Sequence, residues 1–166
     1  MIKLLVLDLD GTVWDHLDAS SLKPPYRRIS NDIVVDSNSV RVSLRRGARW
    51  FLEKIHSIVP LAVCSWNQWD KAYELLRAFG LDKYFGYLGI EPHPNKHLVF
   101  KKIIQWYQRI FKEEIEAEEI LYVDDRRVHL DDIYKYIGRV KFMQMGVDVK
   151  DFYELYDVLK RELSLE

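Results

Sequence analysis

The sequence predicts an α/β fold in which a five-stranded parallel sheet is flanked by helices. The first observation behind this prediction is a set of five short apolar runs, each interpreted as a strand buried on both faces. The second is the helical pattern that separates consecutive runs, because strands that alternate with helices are typical of a parallel sheet. The five runs cover residues 2–9, 60–64, 84–90, 119–123 and 139–145.

Helical patterns fill the stretches between the predicted strands. Residues 68–79 follow Asn67, which is a good N-cap, and precede Gly80, a residue that favours the end of a helix. Residues 99–111 carry apolar side chains at helical spacing along one face, as expected of a helix that packs against a sheet. The predicted helices cover residues 48–55, 68–79, 99–111, 130–137 and 149–163.

The segment at about residues 13–46 interrupts the alternation of strands and helices directly after the first strand. It contains Pro24-Pro25, an apolar stretch at residues 29–35 and a turn-like tetrad at residues 36–39. Beyond the tetrad, apolar and polar residues alternate, which predicts a β-hairpin flap. Because no linker or internal repeat is found, we expect a single domain over residues 1–166 with this small flap and no large cap domain.

Composition narrows the class of protein. A chain of 166 residues with 48% hydrophobic and 31% charged residues buries a sizeable core, which excludes a disordered chain. The 25 basic and 26 acidic side chains give a net charge of −1, so we expect no nucleic-acid partner held by bulk charge. The single Cys64 excludes an internal disulfide, and no apolar run approaches the ~18 residues of a membrane span. We therefore expect a cytoplasmic protein without a membrane partner, and we take it to be a monomer.

Two acids follow the first predicted strand. Side chains alternate along a strand, so Asp8 and Asp10 leave the apolar run on the same side. Two carboxylates at such close positions repel each other and need a cation, a shared proton or water. Gly11 allows the chain to turn sharply just after them. An alternative interpretation is that this segment is only a strand that ends in a polar turn.

A second acid pair, Asp124-Asp125, follows the predicted strand at residues 119–123. If that strand lies beside the first one, three or four carboxylates meet at one edge of the sheet. Hard oxygen ligands of this kind suit Mg²⁺. The alternative is that Asp124-Asp125 merely begins the next helix, where acids interact favourably with the helix dipole.

Two weaker signals lie elsewhere in the chain. Ser65, Trp66 and Asn67 follow another predicted strand, where a hydroxyl group and the backbone amides of a turn can hold a phosphate oxygen. Lys96 lies in a loop ahead of the helix predicted to begin near Val99. Taken alone, Ser65 is equally well explained as a turn residue and Lys96 as a solvated surface lysine.

Together these residues resemble the four motifs of the haloacid dehalogenase superfamily. They occur in the order of those motifs, beginning with Asp8-Leu9-Asp10-Gly11-Thr12 and continuing through Ser65, Lys96 and Asp124-Asp125. The resemblance covers essentially the whole chain and implies a Rossmann-like sheet. Within the superfamily the chain is most similar to the magnesium-dependent phosphatase family, because of its compact length, Trp14, the Pro-Pro flap and the stretch at residues 124–127. It has Trp66 where that family is expected to have Arg.

The resemblance implies a set of catalytic and metal-binding roles. Asp8 is the expected nucleophile that forms an aspartyl-phosphate, and Asp10 is the expected general acid and base. The metal ligands expected for Mg²⁺ are Asp8, the backbone carbonyl of Asp10, and Asp124. Asp125 is expected to support the metal site through a bound water or a hydrogen bond. Lys96 is expected to neutralise the phosphoryl group and to position Asp8.

The resemblance also implies where the substrate binds. Thr12 and Ser65 are expected to contact the transferring phosphoryl group, with Trp66 and Asn67 beside them. Trp14 and Trp66 either stack on a ring of the substrate or seal the flap against the sheet. Because no large cap covers the predicted site, the substrate is expected to be a phosphoprotein carrying phosphotyrosine or a small sugar phosphate.

Two non-enzymatic functions remain as alternatives. The first is a receiver-like signalling domain that accepts a phosphoryl group without turning it over. Such domains carry their phosphorylated Asp after the third strand, whereas the third predicted strand here is followed by Glu91-Pro92. The second is a pseudo-phosphatase that binds phosphate without hydrolysis, although none of the expected catalytic residues is missing.

Overall fold

A five-stranded parallel sheet forms the centre of the molecule. The computed structural model describes residues 1–163, and the last three positions of the predicted domain, 164–166, lie outside the described residues. The strands of the sheet are β1 (Leu4–Leu7), β5 (Leu61–Trp66), β6 (Tyr87–Glu91), β7 (Ile120–Asp124) and β8 (Lys141–Gln144). Their order in space is β6-β5-β1-β7-β8, so the predicted parallel α/β sheet is confirmed.

The strand order reverses at β1, which lies between β5 and β7. In sheets of this type, ligands bind beyond the carboxyl ends of the strands at such a reversal. The loops after β1, β5 and β7 are therefore the ones that build a site. All four residues of β1 are buried, in agreement with a continuous apolar run.

Five α-helices flank the sheet: α1 (Ala48–Ile55), α2 (Trp69–Phe79), α3 (Lys96–Phe111), α4 (Leu130–Tyr136) and α5 (Phe152–Glu162). Helix α2 ends at Gly80, as predicted, in the left-handed conformation with φ +72°. It begins one residue later than predicted, because Gln68 is extended and donates its N–H to the side chain of Asn67 at 2.9 Å. The longest of these helices, α3, has 16 residues, and none in residues 1–163 is able to traverse a bilayer.

Several predicted boundaries move by two to four residues. Strand β6 begins at Tyr87 because Asp82–Tyr84 forms a 3₁₀ turn instead of extended chain. Helix α3 begins at Lys96, three residues before the predicted start at residue 99, which places this lysine on a helix rather than in a loop. Helix α5 begins at Phe152 because the side chain of Asp151 caps it by accepting the N–H of Glu154.

The flap after β1 is a small antiparallel sheet. The predicted hairpin is formed by β3 (Ile33–Val35) and β4 (Arg41–Ser43), and a third strand, β2 (Arg27–Arg28), pairs with β3. The third strand was not predicted, because two exposed arginines carry no alternating apolar pattern. The turn between β3 and β4 is held by Asp36, whose carboxylate accepts backbone hydrogen bonds at 2.8–2.9 Å.

The two faces of the central sheet bury separate apolar cores. Alternate residues of β1 point to opposite faces, so Leu5 and Leu7 pack with α1, α2 and α5, whereas Leu4 and Val6 pack with α3 and α4. Cys64 is fully buried in the second core. Burial of each such leucine contributes about 2 kcal/mol to the free energy of folding. The strands that position the site are therefore stabilised from both faces of the sheet.

Candidate active site

Three carboxylates meet at the carboxyl ends of the central strands. Asp8 directly follows β1, and Asp124 is the last residue of β7. The two strands pair with Leu7 opposite Val123, which brings the two acids level. Asp8, Asp124 and Asp125 each contribute an oxygen, and these oxygens all lie within 4.8 Å of one another. The predicted meeting of the two acid pairs is confirmed for these three residues. The next helix begins only at Leu130, so Asp124-Asp125 is not a helix start.

Lys96 lies between two of these acids. Its Nζ is 3.0 Å from Oδ1 of Asp8 and 2.7 Å from Oδ2 of Asp124, and its side chain is only 2% exposed. Burial opposes the charged form, but the carboxylates of Asp8 and Asp124 raise the pKa of Lys96 above its ordinary value. The lysine is therefore a buried cation, and the interpretation as a solvated surface residue is wrong.

The surroundings of the three carboxylates shift their pKa values in different directions. Burial raises the pKa of Asp8 well above its ordinary value, an effect that Lys96 reduces and the charge of Asp124 increases. Burial also acts to raise the pKa of Asp124, but Lys96 and the hydrogen bonds that the carboxylate accepts bring it below the ordinary value. Burial and the neighbouring Asp124 raise the pKa of Asp125.

The donor set of the cluster fits Mg²⁺. All three donors are carboxylate oxygens, which are the hard ligands that this ion prefers. Three carboxylates within one small volume carry up to three negative charges, of which Lys96 balances one. A divalent cation supplies the balance that the cluster otherwise lacks.

Asp10 is held away from the acid cluster. Its Oδ1 accepts a hydrogen bond from Nε1 of Trp14 at 2.7 Å, and its Oδ2 accepts from the backbone of Ala19 at 3.1 Å and from Nδ2 of Asn67 at 2.8 Å. Burial raises the pKa of Asp10 despite these hydrogen bonds. The carboxylate is not part of the metal-binding group, so a contribution of Asp10 to the metal rests on its backbone carbonyl and stays a prediction.

Two hydroxyl groups were predicted to contact the phosphoryl group. That of Thr12 lies beside Asp8, and that of Ser65 lies on the neighbouring strand β5. The fully buried Thr12 donates to Oδ2 of Asp8 at 3.1 Å and accepts the backbone N–H of Asp125 at 3.0 Å. It therefore ties the loop after β1 to the loop after β7. Ser65 lies near the end of β5 and is 2% exposed, but its Oγ has no hydrogen-bond partner within residues 1–163. A buried hydroxyl without a partner is costly, so Ser65 is a polar group that the described residues leave unsatisfied.

The two tryptophans near the motifs have different positions. Trp14 is fully buried, donates to Asp10 and stacks on Phe79 with ring centroids 6.1 Å apart. It seals the flap against the core, and the alternative in which it stacks on a substrate is wrong. Trp66 is 47% exposed and lines the cleft above the acids, in a T-shaped arrangement with the ring of His129. Of the two tryptophans, only Trp66 lines the cleft.

The cleft has a volume of about 540 Å³ and mixes charged and apolar walls. Asp8, Asp10 and Lys96 form its floor, and the exposed side chains of Leu17 and Trp66 lie at its rim. The remaining lining residues are Asp18, Ser20, Asn67, Gln68, Pro92, Asp125 and Arg126.

Sequence reasoning missed two polar residues of the site. The hydroxyl of Tyr122 is buried against Asp124 and Lys96, although the residue was interpreted only as part of an apolar strand. A tyrosine inside a buried strand is a usable signal, since its hydroxyl needs a partner. His129 is 7% exposed, and burial together with the charge of Lys96 lowers its pKa to about 4.

Comparisons with known proteins agree with this geometry. The sequence model of the Acid Phosphatase family matches residues 1–154. Magnesium-dependent phosphatase 1 from Homo sapiens is 30% identical over 150 residues, which cover 89% of this chain and 81% of the human protein. Both findings confirm the resemblance inferred from the motifs.

Solved structures of low sequence identity share the fold. A subfamily IA hydrolase of the haloacid dehalogenase superfamily from Geobacter sulfurreducens has a TM-score of 0.64 at 19% identity, covering 95% of this chain and all of its own. The N-terminal part of a Bacteroides fragilis protein, which contains a phosphatase domain and was solved with Mg, has a TM-score of 0.59 at 18% identity. It covers 98% of this chain and 40% of its own. Given its motifs, its sheet topology and these matches, the chain belongs to the acid phosphatase family and is a phosphatase of the haloacid dehalogenase type.

Proposed function

We propose that this phosphatase hydrolyses phosphate monoesters in a Mg²⁺-dependent reaction through a phosphorylated Asp8, with Asp10 as general acid and base. The observation that supports this assignment is the separation of the two acids of the first motif. Asp8 lies in the metal-binding group and contacts Lys96, whereas the carboxylate of Asp10 lies outside that group and faces the same cleft. This separation suits Asp8 as the nucleophile and Asp10 as the group that moves protons.

The metal in this proposal is Mg²⁺, held by Asp8, Asp124 and the backbone carbonyl of Asp10, with Asp125 in support. The carboxylate group at the sheet edge and the name of the human relative, a magnesium-dependent phosphatase, both support this choice. When bound, Mg²⁺ supplies positive charge that stabilises the phosphoryl oxygens as their negative charge develops.

The reaction proceeds in two balanced steps. A carboxylate oxygen of Asp8 forms a bond to phosphorus as the bond from phosphorus to the ester oxygen breaks, and Asp10 gives its proton to the leaving oxygen. In the second step a water oxygen attacks phosphorus and Asp10 takes the proton of that water. The bond between phosphorus and Asp8 then breaks and inorganic phosphate leaves. The raised pKa of Asp10 suits the acid of the first step.

The phosphoryl group in this proposal is held by Lys96, Thr12 and Ser65, with Trp66 and Asn67 beside them. The unpartnered hydroxyl of Ser65 gives the strongest support, because a phosphoryl oxygen completes its hydrogen bonding. Asn67 already donates to Asp10 at 2.8 Å, so its contribution is to orient the general acid. The ammonium of Lys96 balances negative charge on the phosphoryl oxygens.

The substrate classes in this proposal are protein phosphotyrosine and small sugar phosphates. The flap is small and the rim of the cleft carries the exposed Trp66, which supports a substrate that brings an aromatic ring. A panel of phosphotyrosine peptides, sugar phosphates and nucleotides separates the classes by kcat/KM. Trp66→Ala lowers kcat/KM for the aryl phosphates alone if the ring stacks there, whereas the control Trp69→Ala, with 49% exposure but outside the cleft, changes neither class.

Phosphate release with Mg²⁺ and with a chelator tests the reaction itself. We expect release to depend on Mg²⁺ and to disappear in Asp8→Asn, while the exposed Asp70→Asn in the first turn of α2 retains the wild-type rate. With an activated aryl phosphate, whose leaving group needs no proton, Asp10→Asn slows only the hydrolysis of the intermediate. An acid quench followed by peptide mass spectrometry then finds the phosphoryl group on the peptide that carries Asp8. A phosphoryl group on any other residue contradicts the mechanism. A stable phosphoryl group on wild-type Asp8 without release supports the receiver-like alternative instead.

A further inference from the structure

Tyr122 contributes a buried hydroxyl to the acid cluster. The residue lies on β7 two positions before Asp124, so both side chains point to the same face of the sheet. Its Oη donates a hydrogen bond to Oδ2 of Asp124 and accepts one from Nζ of Lys96 at 3.4 Å. Because Lys96 also donates to Oδ2 of Asp124 at 2.7 Å, the three groups form a closed triangle beneath the cleft.

We propose that Tyr122 is a positioning residue that fixes the orientation of Asp124 for binding Mg²⁺. A carboxylate has about four lone-pair sites. Two of those on Asp124 are taken on Oδ2 by Tyr122 and Lys96, and a third is taken on Oδ1 by the backbone N–H of Arg126 at 3.0 Å. The site that stays open is on Oδ1, so the hydroxyl of Tyr122 determines which oxygen of Asp124 is offered to the metal. This inference rests on the metal site of the proposed function.

The aromatic ring of Tyr122 is held independently of its hydroxyl. Its centroid lies 5.1 Å from that of Phe100, in an edge-to-face arrangement, and 5.5 Å from that of Phe142. The side chain is fully buried in the core formed with α3 and α4. A phenylalanine therefore fills the same space, and Tyr122→Phe removes only the polar contacts of the oxygen.

Loss of the hydroxyl is expected to weaken Mg²⁺ binding without changing the chemistry. In Tyr122→Phe, Oδ2 of Asp124 keeps only Lys96 as a side-chain donor, and the carboxylate rotates more freely. Groups that orient a metal ligand typically account for about 10- to 100-fold in metal affinity. We expect a dissociation constant for Mg²⁺ about tenfold higher than that of the wild type, and a kcat close to wild type once the metal is saturating.

The experiment is a calorimetric titration of the full chain with MgCl₂ alone, with no substrate present. Tyr107→Phe is the matched control, because Tyr107 is 3% exposed in the same core and donates its hydroxyl to Glu113, outside the acid cluster. Tyr122→Phe loses two hydrogen bonds and Tyr107→Phe loses one, so both are expected to lower the metal-free Tm. Only Tyr122→Phe is expected to weaken Mg²⁺ binding.

The Mg²⁺ dependence of Tm provides a second measurement. It remains informative for a destabilised variant, because each variant is compared with its own metal-free Tm. Bound metal raises Tm according to its concentration relative to the dissociation constant, so Tyr122→Phe needs about tenfold more Mg²⁺ for the same rise. Equal Mg²⁺ affinity in Tyr122→Phe and wild type overturns the positioning role and leaves the proposed function intact. A wild-type chain that binds no Mg²⁺ overturns both, which distinguishes the two failures.

Discussion

The indole of Trp14 donates a hydrogen bond to the carboxylate of Asp10 at 2.7 Å. Trp14 is fully buried and stacks on Phe79, so the donor is anchored in the core at the point where the flap begins. This contact helps to keep Asp10 apart from the acids that form the metal-binding group. The packing of the flap is thereby connected to the position of the proposed general acid.

Trp14→Phe is expected to lower kcat while leaving Mg²⁺ affinity unchanged. The substitution removes the indole N–H and leaves Asp10 with Ala19 and Asn67 as donors, so the carboxylate is less well oriented. Steady-state kinetics and a Mg²⁺ titration measure the two effects separately. Trp50→Phe is the control, because Trp50 packs on Tyr153 and Tyr156, away from the cleft. Both substitutions cost roughly 2 kcal/mol or less of stability. A kcat equal to that of the control contradicts the orienting role.

Ser65→Ala is expected to lower activity without lowering the stability of the fold. The Oγ of Ser65 has no partner among the described residues, so its removal deletes no internal hydrogen bond and relieves a buried polar group. The free energy of unfolding should stay the same or rise slightly. If the hydroxyl binds the phosphoryl group, kcat/KM falls roughly tenfold, the kinetic equivalent of one lost hydrogen bond to a charged group.

Urea unfolding and phosphate-release kinetics on the same Ser65→Ala preparation test this separation. The exposed Ser57→Ala serves as a surface control in both assays. Parallel losses of stability and activity are the outcome that contradicts a phosphate-binding role, because they indicate that Ser65 has an internal structural partner.

The sheet and its acid cluster were predictable because both depend on local sequence. Short apolar runs define the strands, and the acids that end two of them, Asp8 and Asp124, meet wherever those strands are neighbours. That these two strands are neighbours was inferred from the order of the motifs along the chain, because no single segment of the sequence shows it. Strand and helix ends were less predictable, because their bounds depend on single contacts such as the cap formed by Asp151.

The groups that surround the acids were predicted less well, because their roles arise from tertiary packing. Lys96 has the sequence context of a surface loop and becomes a buried cation only when the start of α3 brings it against Asp8 and Asp124. Tyr122 has the pattern of an apolar strand residue until its hydroxyl meets Asp124. Whether Trp14 or Trp66 faces the cleft depends on how the flap folds over the core. The spacing of apolar residues along the sequence does not predict that packing.

Gly11→Ala is expected to disturb the acid cluster through a steric conflict. Gly11 has φ +72°, and a Cβ atom at this position would lie 2.4 Å from Oδ2 of Asp125. The matched control is Gly146→Ala, because Gly146 has φ +92° but its Cβ would meet nothing within 4 Å. Both substitutions impose the backbone cost of a left-handed residue, about 1 kcal/mol. Only Gly11→Ala should also weaken Mg²⁺ binding, as measured by calorimetry. Equal Mg²⁺ affinity in the two variants contradicts the role of Asp125 in the metal site.

Asp36 should stabilise the flap in a pH-dependent way. Its carboxylate accepts the backbone N–H groups of Lys23, Asn38 and Val40 at 2.8–2.9 Å. Burial acts to raise the pKa of Asp36, but these three hydrogen bonds bring it below its ordinary value. Asp36→Ala leaves three donors without an acceptor, and we expect a loss of roughly 2 kcal/mol at neutral pH.

The sign of the pH effect follows from the lowered pKa of Asp36. A carboxyl group whose pKa is lower in the folded state contributes its full stabilisation above its unfolded pKa of about 3.9, and loses it as the pH falls through the folded value. The difference in unfolding free energy between wild type and Asp36→Ala should therefore be constant between about pH 7 and pH 5 and shrink below about pH 4. Urea unfolding across this range measures it. Asp32→Ala, an exposed position in the same flap, should show neither the loss nor its pH dependence. A difference that grows on acidification contradicts the assignment, because it requires the protonated form of Asp36 to be the one that holds the turn.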